Sequence, residues 1–332
     1  KVLNKTSFML QVNLDKAITE LTKLNAHKIL LQIPEGLKTR AEELASELEN
    51  KGFSVITIMD PCFGACDIKV SEAKQLDCDA LLHIGHNSFL AEIDFPIVYA
   101  PLEYKLNKLD ELIEKLANYL KASKIEEIGL VTTVQFINYI EKIDSMLKEA
   151  GIKIKLKEGH RTVRGQILGC NYSSVPDTKN IVYFGDGLFH PLGVHFATQK
   201  NVIMCNPLTL EVKELREEKE DFLRKRILLI EKAKESDSFG IIVSSKFGQS
   251  RLDLAEKIKK DLEEHGKKAR IYTMEFISED KLLGLAVGAY ISTACPRLSI
   301  DDYKSYKKPI INAFEVKYFW EGYENYKLDE YY

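Results

Sequence analysis

Short continuous apolar runs alternate along this chain with longer stretches whose apolar residues recur at helical spacing. The first run, residues 28–33, reads as a strand that exits into P-E-G-L-K. The stretch after it sets Ala41, Leu44, Ala45 and Leu48 on one helical face and ends at Gly52, placed as a C-cap glycine would be. Runs at 53–58, 80–84 and 97–100 predict three more strands, and Leu14, Ile18 and Leu21 mark a helix ahead of them all. The order then recurs. A strand at 128–131 precedes a helix carrying Phe136, Ile140, Ile143 and Leu147, closed by Gly151, with further strands at 152–156, 181–184 and 202–204. A charged helix over 217–235 leads into a third round. There a strand at 241–243 is followed by a helix with Leu254, Ile258 and Leu262, by Gly266, and by strands at 269–272, 289–292 and from 310 onward.

Strands alternating with helices imply an α/β fold of parallel sheets with right-handed crossovers. Three such units predict three small Rossmann-like lobes, expected over residues 1–105, 106–215 and 216–332, the last including a C-terminal tail. A chain of 332 residues exceeds what one core usually supports, which agrees with more than one unit. In parallel sheets ligands collect at the carboxyl ends of the strands, so the exits are where chemistry is sought.

Composition narrows the class. With 45% hydrophobic and 29% charged residues this is an ordinary globular chain, and no apolar run reaches the roughly 20 residues that span a bilayer. The first residues lack the apolar core and cleavage site of a secretory signal, so a cytoplasmic location is expected. A net charge of −3 and the lack of a basic, aromatic-interleaved stripe argue against nucleic acid as a partner.

Six cysteines in a reducing compartment are an unlikely disulfide framework. Cys78 and Cys205 lie at or beside strands and read as small buried hydrophobes. Cys62, Cys66, Cys170 and Cys295 lie at strand exits instead. The C-x-x-x-C spacing of Cys62 and Cys66 is half of a zinc site, but no matching half follows downstream. One cysteine per unit, from Cys66, Cys170 and Cys295, suits a [4Fe–4S] cluster with one iron left open. The three lie 14, 19 and 29 residues beyond their capping glycines, so they are not copies of one ligand loop. The competing reading makes all of them core residues. Glu35, His86, Asp186, His190, Lys246, Gln249 and Arg297 stand at the same exits. Lys246 and Arg297 suit the carboxylate of an amino-acid-like ligand, and Gln249 an amide or ring edge. The glycines match neither a dinucleotide nor a Walker fingerprint.

The wording P-E-G-L-K, F-G-A-C-D, G-Q-I-L-G-C-N-Y-S, F-H-P-L-G, V-S-S-K-F-G-Q and T-A-C-P-R-L-S-I-D-D-Y closely resembles the archaeal 2-(3-amino-3-carboxypropyl)histidine synthase family of diphthamide synthesis. The resemblance covers almost the whole chain. It implies a homodimer of three-lobed subunits around a central [4Fe–4S] cluster, held here by Cys66, Cys170 and Cys295, with Cys62 unassigned. It implies non-canonical radical use of S-adenosylmethionine, an external one-electron donor, and translation elongation factor 2 as the protein substrate. His190, Lys246, Gln249 and Arg297 are the residues expected near S-adenosylmethionine. A quinolinate-synthase-like enzyme and a cluster-carrying accessory subunit are the alternatives that the same architecture leaves open.

Overall fold

The apolar runs at the middle of each sheet become strands buried on both faces, as sheets covered by helices require, while the outer parallel runs at 54–58, 153–155 and 268–274 stay partly exposed. In the computed structural model, which describes residues 8–90 and 93–330, they form three sheets in chain order. Sheet 1 contains β1 (Phe8–Val12), β2 (Lys28–Gln32), β3 (Ser54–Ile58), β4 (Ala80–Gly85) and β5 (Ile97–Leu106), in the order β1-β5-β4-β2-β3. Sheet 2 contains β6 (Glu127–Thr132), β7 (Lys153–Lys155), β8 (Asn180–Phe184), β9 (Asn201–Asn206) and β10 (Glu211–Glu214), in the order β10-β9-β8-β6-β7. Sheet 3 contains β11 (Ser238–Ser244), β12 (Lys268–Met274), β13 (Ala289–Ser292) and β14 (Ile310–Asn312), in the order β12-β11-β13-β14. In each sheet four parallel strands run in the same spatial sequence, the first flanked by the second and the third.

Purely parallel sheets were expected, and two of the three are mixed. β1 pairs antiparallel with β5, and β10 pairs antiparallel with β9. Both additions are edge strands: β10, E-V-K-E, has one apolar position and carries little burial signal, whereas β1, F-M-L-Q-V, is largely apolar and lies outside the sequence expectation.

Helices α1 (Leu14–Lys23) and α2 (Ala41–Glu49) bury the stripes that predict them, Leu14, Ala17 and Leu21 in one and Ala41, Leu44 and Leu48 in the other. Gly52 follows α2 at φ +94°, a conformation that a side chain would strain. Besides the one-turn helices Glu279–Leu282 and Arg297–Ile300, three longer helices among the described residues lie outside the sequence expectation: α3 (Val70–Gln75), α4 (Leu109–Ala122) and a helix at Phe189–Thr198. The α4 stripe of Leu112, Ile113, Leu116 and Leu120 is fully helical in period. Helix α5 (Ile140–Glu149) precedes the Phe189–Thr198 helix, α6, which is apolar nearly all round and so shows no stripe. Pro191 sits in the first turn of α6, where a missing N–H costs nothing. The charged connector is α7 (Arg216–Lys234), and α8 (Leu252–Glu264) covers sheet 3.

The cores differ in extent. One apolar cluster joins sheets 2 and 3, bringing Tyr183 and Met204 together with Phe239, Ile241 and Ile291. The C-terminal segment packs into the same cluster through Tyr326 and Leu328. Sheet 1 has a core of its own, built from residues such as Leu21, Leu31, Leu44 and Leu82.

Candidate metal centre

The Cys66 turn follows β3. Glu35 N donates to the Cys62 carbonyl at 3.0 Å, and Asp67 N donates to the Gly64 carbonyl at 3.1 Å, closing the turn between the two cysteines. The pair then divides. Cys62 is fully buried with its thiol toward the Gly64 carbonyl at 3.7 Å, and burial pushes its pKa up to about 12. Cys66 is only partly buried and accepts a hydrogen bond on Sγ from Gln249 Nε2 at 3.0 Å. Burial raises its pKa, and the Gln249 amide opposes that rise.

Cys170 is set by its own loop. The segment after β7 returns alongside β6, with Thr132 N donating to Gly165 O and Ile167 N to Thr132 O, each at 2.8 Å. Leu168 and Asn171 then bond across a tight turn that has Gly169 and Cys170 at its corner. Asn171 is buried and pins that turn: Nδ2 donates to His160 O at 2.8 Å, and Oδ1 accepts from Ser173 N at 3.0 Å and Ser173 Oγ at 2.6 Å. A Cβ on residue 169 would lie 2.1 Å from the Phe189 ring, so the L-G-C-N wording is dictated by a close approach of α6.

Cys295 leaves β13 at the start of a one-turn helix, Arg297–Ile300. Leu298 N donates to the Cys295 carbonyl at 3.2 Å, and an N–H of Arg297 favours the Cys295 thiolate. Beneath the turn lies buried Arg226, whose guanidinium donates to the Ser299 carbonyl and pairs with Glu315 at 2.8 and 2.5 Å.

These three strand exits bring their thiols within electrostatic reach of one another. Burial raises the pKa of Cys170 most, and the neighbouring Cys295 and Cys66 raise it further. Cys295 rises to about 11, first through burial and then through Cys66. Arg251 favours the thiolates of both Cys170 and Cys295. All three cysteines keep some exposed surface, whereas Cys62, Cys78 and Cys205 are buried, and all six are free thiols. Among the described residues no group of three or more His, Cys, Asp or Glu side chains is suited to hold a single metal ion. Three thiols drawn from three sheets are a donor set whose chemistry suits a thiolate-bound iron–sulfur centre. Metal binding would overcome their raised pKa values by displacing the protons.

The other expected site residues fall into two groups, one beside Cys295 and one beside Cys66. His190 stacks on Tyr183 with ring centroids 6.1 Å apart and meets Phe189 edge-on at 5.3 Å; burial, aided by Arg297, pushes its pKa down to about 4. Arg297 lies 4.9 Å over the Phe189 ring and pairs with Asp301 at 2.8 Å. His190 and Arg297 are therefore neighbours on the side of Cys295 and Gly169. Gln249 stands on the Cys66 side, and so does Lys246, whose ammonium is ion-paired with buried Asp67.

A family model for diphthamide synthesis proteins matches residues 33–332. The chain belongs to this family. Over 316 residues it is 36% identical to the 2-(3-amino-3-carboxypropyl)histidine synthase of Pyrococcus horikoshii, spanning 94% of this chain and 91% of that one. It is 30% identical to the enzyme of the same name from Methanocaldococcus jannaschii, spanning 99% and 96%. Two crystal structures of Dph2 from Pyrococcus horikoshii, one of them with a 4Fe-4S cluster, match at TM-score 0.89 and 34% identity. Each match covers 97% of this chain, and 94% and 95% of the respective structures.

Within this diphthamide synthesis family chain, sequence reasoning did not find Asp67, Asn171, Arg226 or Arg251. Asp67 and Asn171 each adjoin a cysteine in a quoted motif, and Arg251 directly follows S-S-K-F-G-Q-S, so proximity was the available signal. Arg226 carries no local signal, because it lies in a charged helix and acts on Ser299, 73 residues away. Among the described residues no helix is long and apolar enough to cross a membrane.

Proposed function

We propose that this chain transfers the 3-amino-3-carboxypropyl group of S-adenosylmethionine to a histidine of translation elongation factor 2, the first step of diphthamide synthesis. The observation that carries this reading is the match of the diphthamide synthesis family model over residues 33–332, in a chain whose three sheets each contribute one of the partly buried cysteines Cys66, Cys170 and Cys295. The names of its archaeal relatives and the 4Fe-4S cluster of the Pyrococcus structure support it. In this reading the three sheets belong to three lobes, residues 1–105, 106–215 and 216–332, around one centre, and the working unit is a homodimer supplied by an external electron donor.

Cys66, Cys170 and Cys295 would hold a [4Fe–4S] cluster, which supplies one electron and an open iron position for non-canonical radical chemistry. The chain itself contributes placement and charge. Arg251 favours the thiolate forms of Cys170 and Cys295. Lys246 is neutralised by Asp67. Arg297 is also paired, with Asp301, but that pair is solvent-exposed where Lys246–Asp67 is buried, so Arg297, beside neutral His190, is the cation assigned to the carboxylate of S-adenosylmethionine, with His190 an uncharged hydrogen-bonding neighbour. The transfer breaks the bond between sulfur and the methionine γ-carbon, leaving methylthioadenosine, and joins the aminocarboxypropyl fragment to an imidazole carbon of the target, whose hydrogen leaves as a proton while the one electron supplied is given back.

The test is product analysis with anaerobically purified, reduced protein. Methylthioadenosine formed together with an aminocarboxypropyl-modified histidine in elongation factor 2 is the expected result. Formation of quinolinate from iminoaspartate and dihydroxyacetone phosphate, or an unmodified target, would overturn the proposal.

A further inference from the structure

The loop leaving β11, residues 245–250, crosses to sheet 1 and holds the Cys66 turn at three points. Gly248 N donates to the Cys66 carbonyl at 2.9 Å. Gln249 Nε2 donates to Cys66 Sγ at 3.0 Å. Lys246 pairs with Asp67, the residue after Cys66. A Cβ at position 248 would stand 2.7 Å from the Cys66 Cα, so the approach is open to glycine alone. Lys246, Gln249 and Asp67 are all buried, which removes water as a competitor for these bonds. Cys170 and Cys295 are placed differently, by backbone turns within their own loops.

We propose that residues 245–250 form a clasp that sets Cys66, and not Cys62, at the shared site, with Gln249 as a positioning residue whose amide tunes the Cys66 sulfur. The proposal rests on the cluster reading given above. An N–H directed at a ligating sulfur stabilises negative charge there, and so favours the reduced state of a bound iron–sulfur centre. The clasp also explains why Lys246 is buried: its charge is paired with Asp67, whose carboxylate lies 3.4 Å from Lys69 of its own segment as well. Because Lys69 remains, Lys246→Met leaves Asp67 with a cation.

Two measurements test it, one without metal and one with. In the metal-free protein, hydrogen exchange of Lys246→Met is compared with wild type over peptides covering residues 62–67 and 245–250. Loss of one charge-assisted contact is expected to speed exchange there by about tenfold, with peptides of sheet 2 unchanged. Equal exchange in both proteins would overturn the clasp. In the reconstituted protein, Gln249→Leu and the isosteric Gln249→Glu are expected to keep their iron and sulfide, while the reduction potential followed by EPR shifts to more negative values, further for Glu. An unchanged potential in both variants would overturn the tuning role. If wild-type protein takes up no cluster, the functional proposal fails by itself, and the exchange experiment still decides the clasp.

Discussion

Cys66 and Cys170 are held in opposite ways. The Cys170 turn is built from neighbours in sequence, with Asn171 bonding to His160 and Ser173. The Cys66 turn is gripped from 183 residues away by Gln249. The cores repeat the contrast. Sheets 2 and 3 share one apolar cluster, while sheet 1 keeps its own. Between sheets 1 and 3 the ties are Lys246–Asp67, Lys69–Glu275, the bonds to Cys66 and the stacked rings of Phe63 and Phe276. Dispersed ties of this kind are individually modest, whereas sheet 1 meets sheet 2 through Tyr104 and Leu106 of β5, with Tyr104 stacked on Phe136 at 5.0 Å. A shared apolar core makes the half with Cys170 and Cys295 a single unit.

The largest expected effect breaks the equivalence that the account gives the three thiols. Cys66→Ala, Cys170→Ala and Cys295→Ala should each abolish methylthioadenosine formation, measured chromatographically. Cys62→Ala should retain it and lose about 1 kcal/mol of stability. A second change strikes under the rigid half. Arg226→Met strands buried Glu315 and releases the Ser299 carbonyl, so denaturant melts should show a loss of about 3–5 kcal/mol. Asn171→Ala frees the Cys170 turn and is expected to cost about 2 kcal/mol, read in the same way, with the exchange of residues 245–250 unaffected.

The smallest effect is a pH dependence. Burial holds His190 at a pKa of about 4, and His86 likewise, against an ordinary value of 6.5. Between those values the unfolded chain binds more protons than the folded one. Stability therefore falls as pH drops from 6.5 toward 4 and is fully restored above that window. Thermal melts across pH 4–7 should show this slope, and His190→Gln should reduce it by the His190 share, leaving that of His86 and the buried His83 beside it.

The same contrast explains what was legible in the sequence. Strands such as β2 and β4 announce themselves because burial on both faces demands continuous apolar runs. The glycines after α2, α5 and α8 show because a positive φ demands them. The Cys170 turn is written locally, in L-G-C-N. What was hidden depends on the other sheets: the burial of Cys62 while Cys66 faces Gln249, the capture of Lys246 by Asp67, and Arg226 beneath the Cys295 turn. Helix α6 was hidden for a different reason, since burial on all sides erases the periodicity by which a helix is read.

The central claim is that one cysteine from each sheet serves a single centre. Native mass spectrometry of the anaerobically reconstituted protein measures it directly. The account predicts a mass increment of one [4Fe–4S] cluster per chain, retained in Cys62→Ala and lost as an intact cluster in each of the Cys66, Cys170 and Cys295 variants. A full cluster surviving the loss of any one of those three would contradict it.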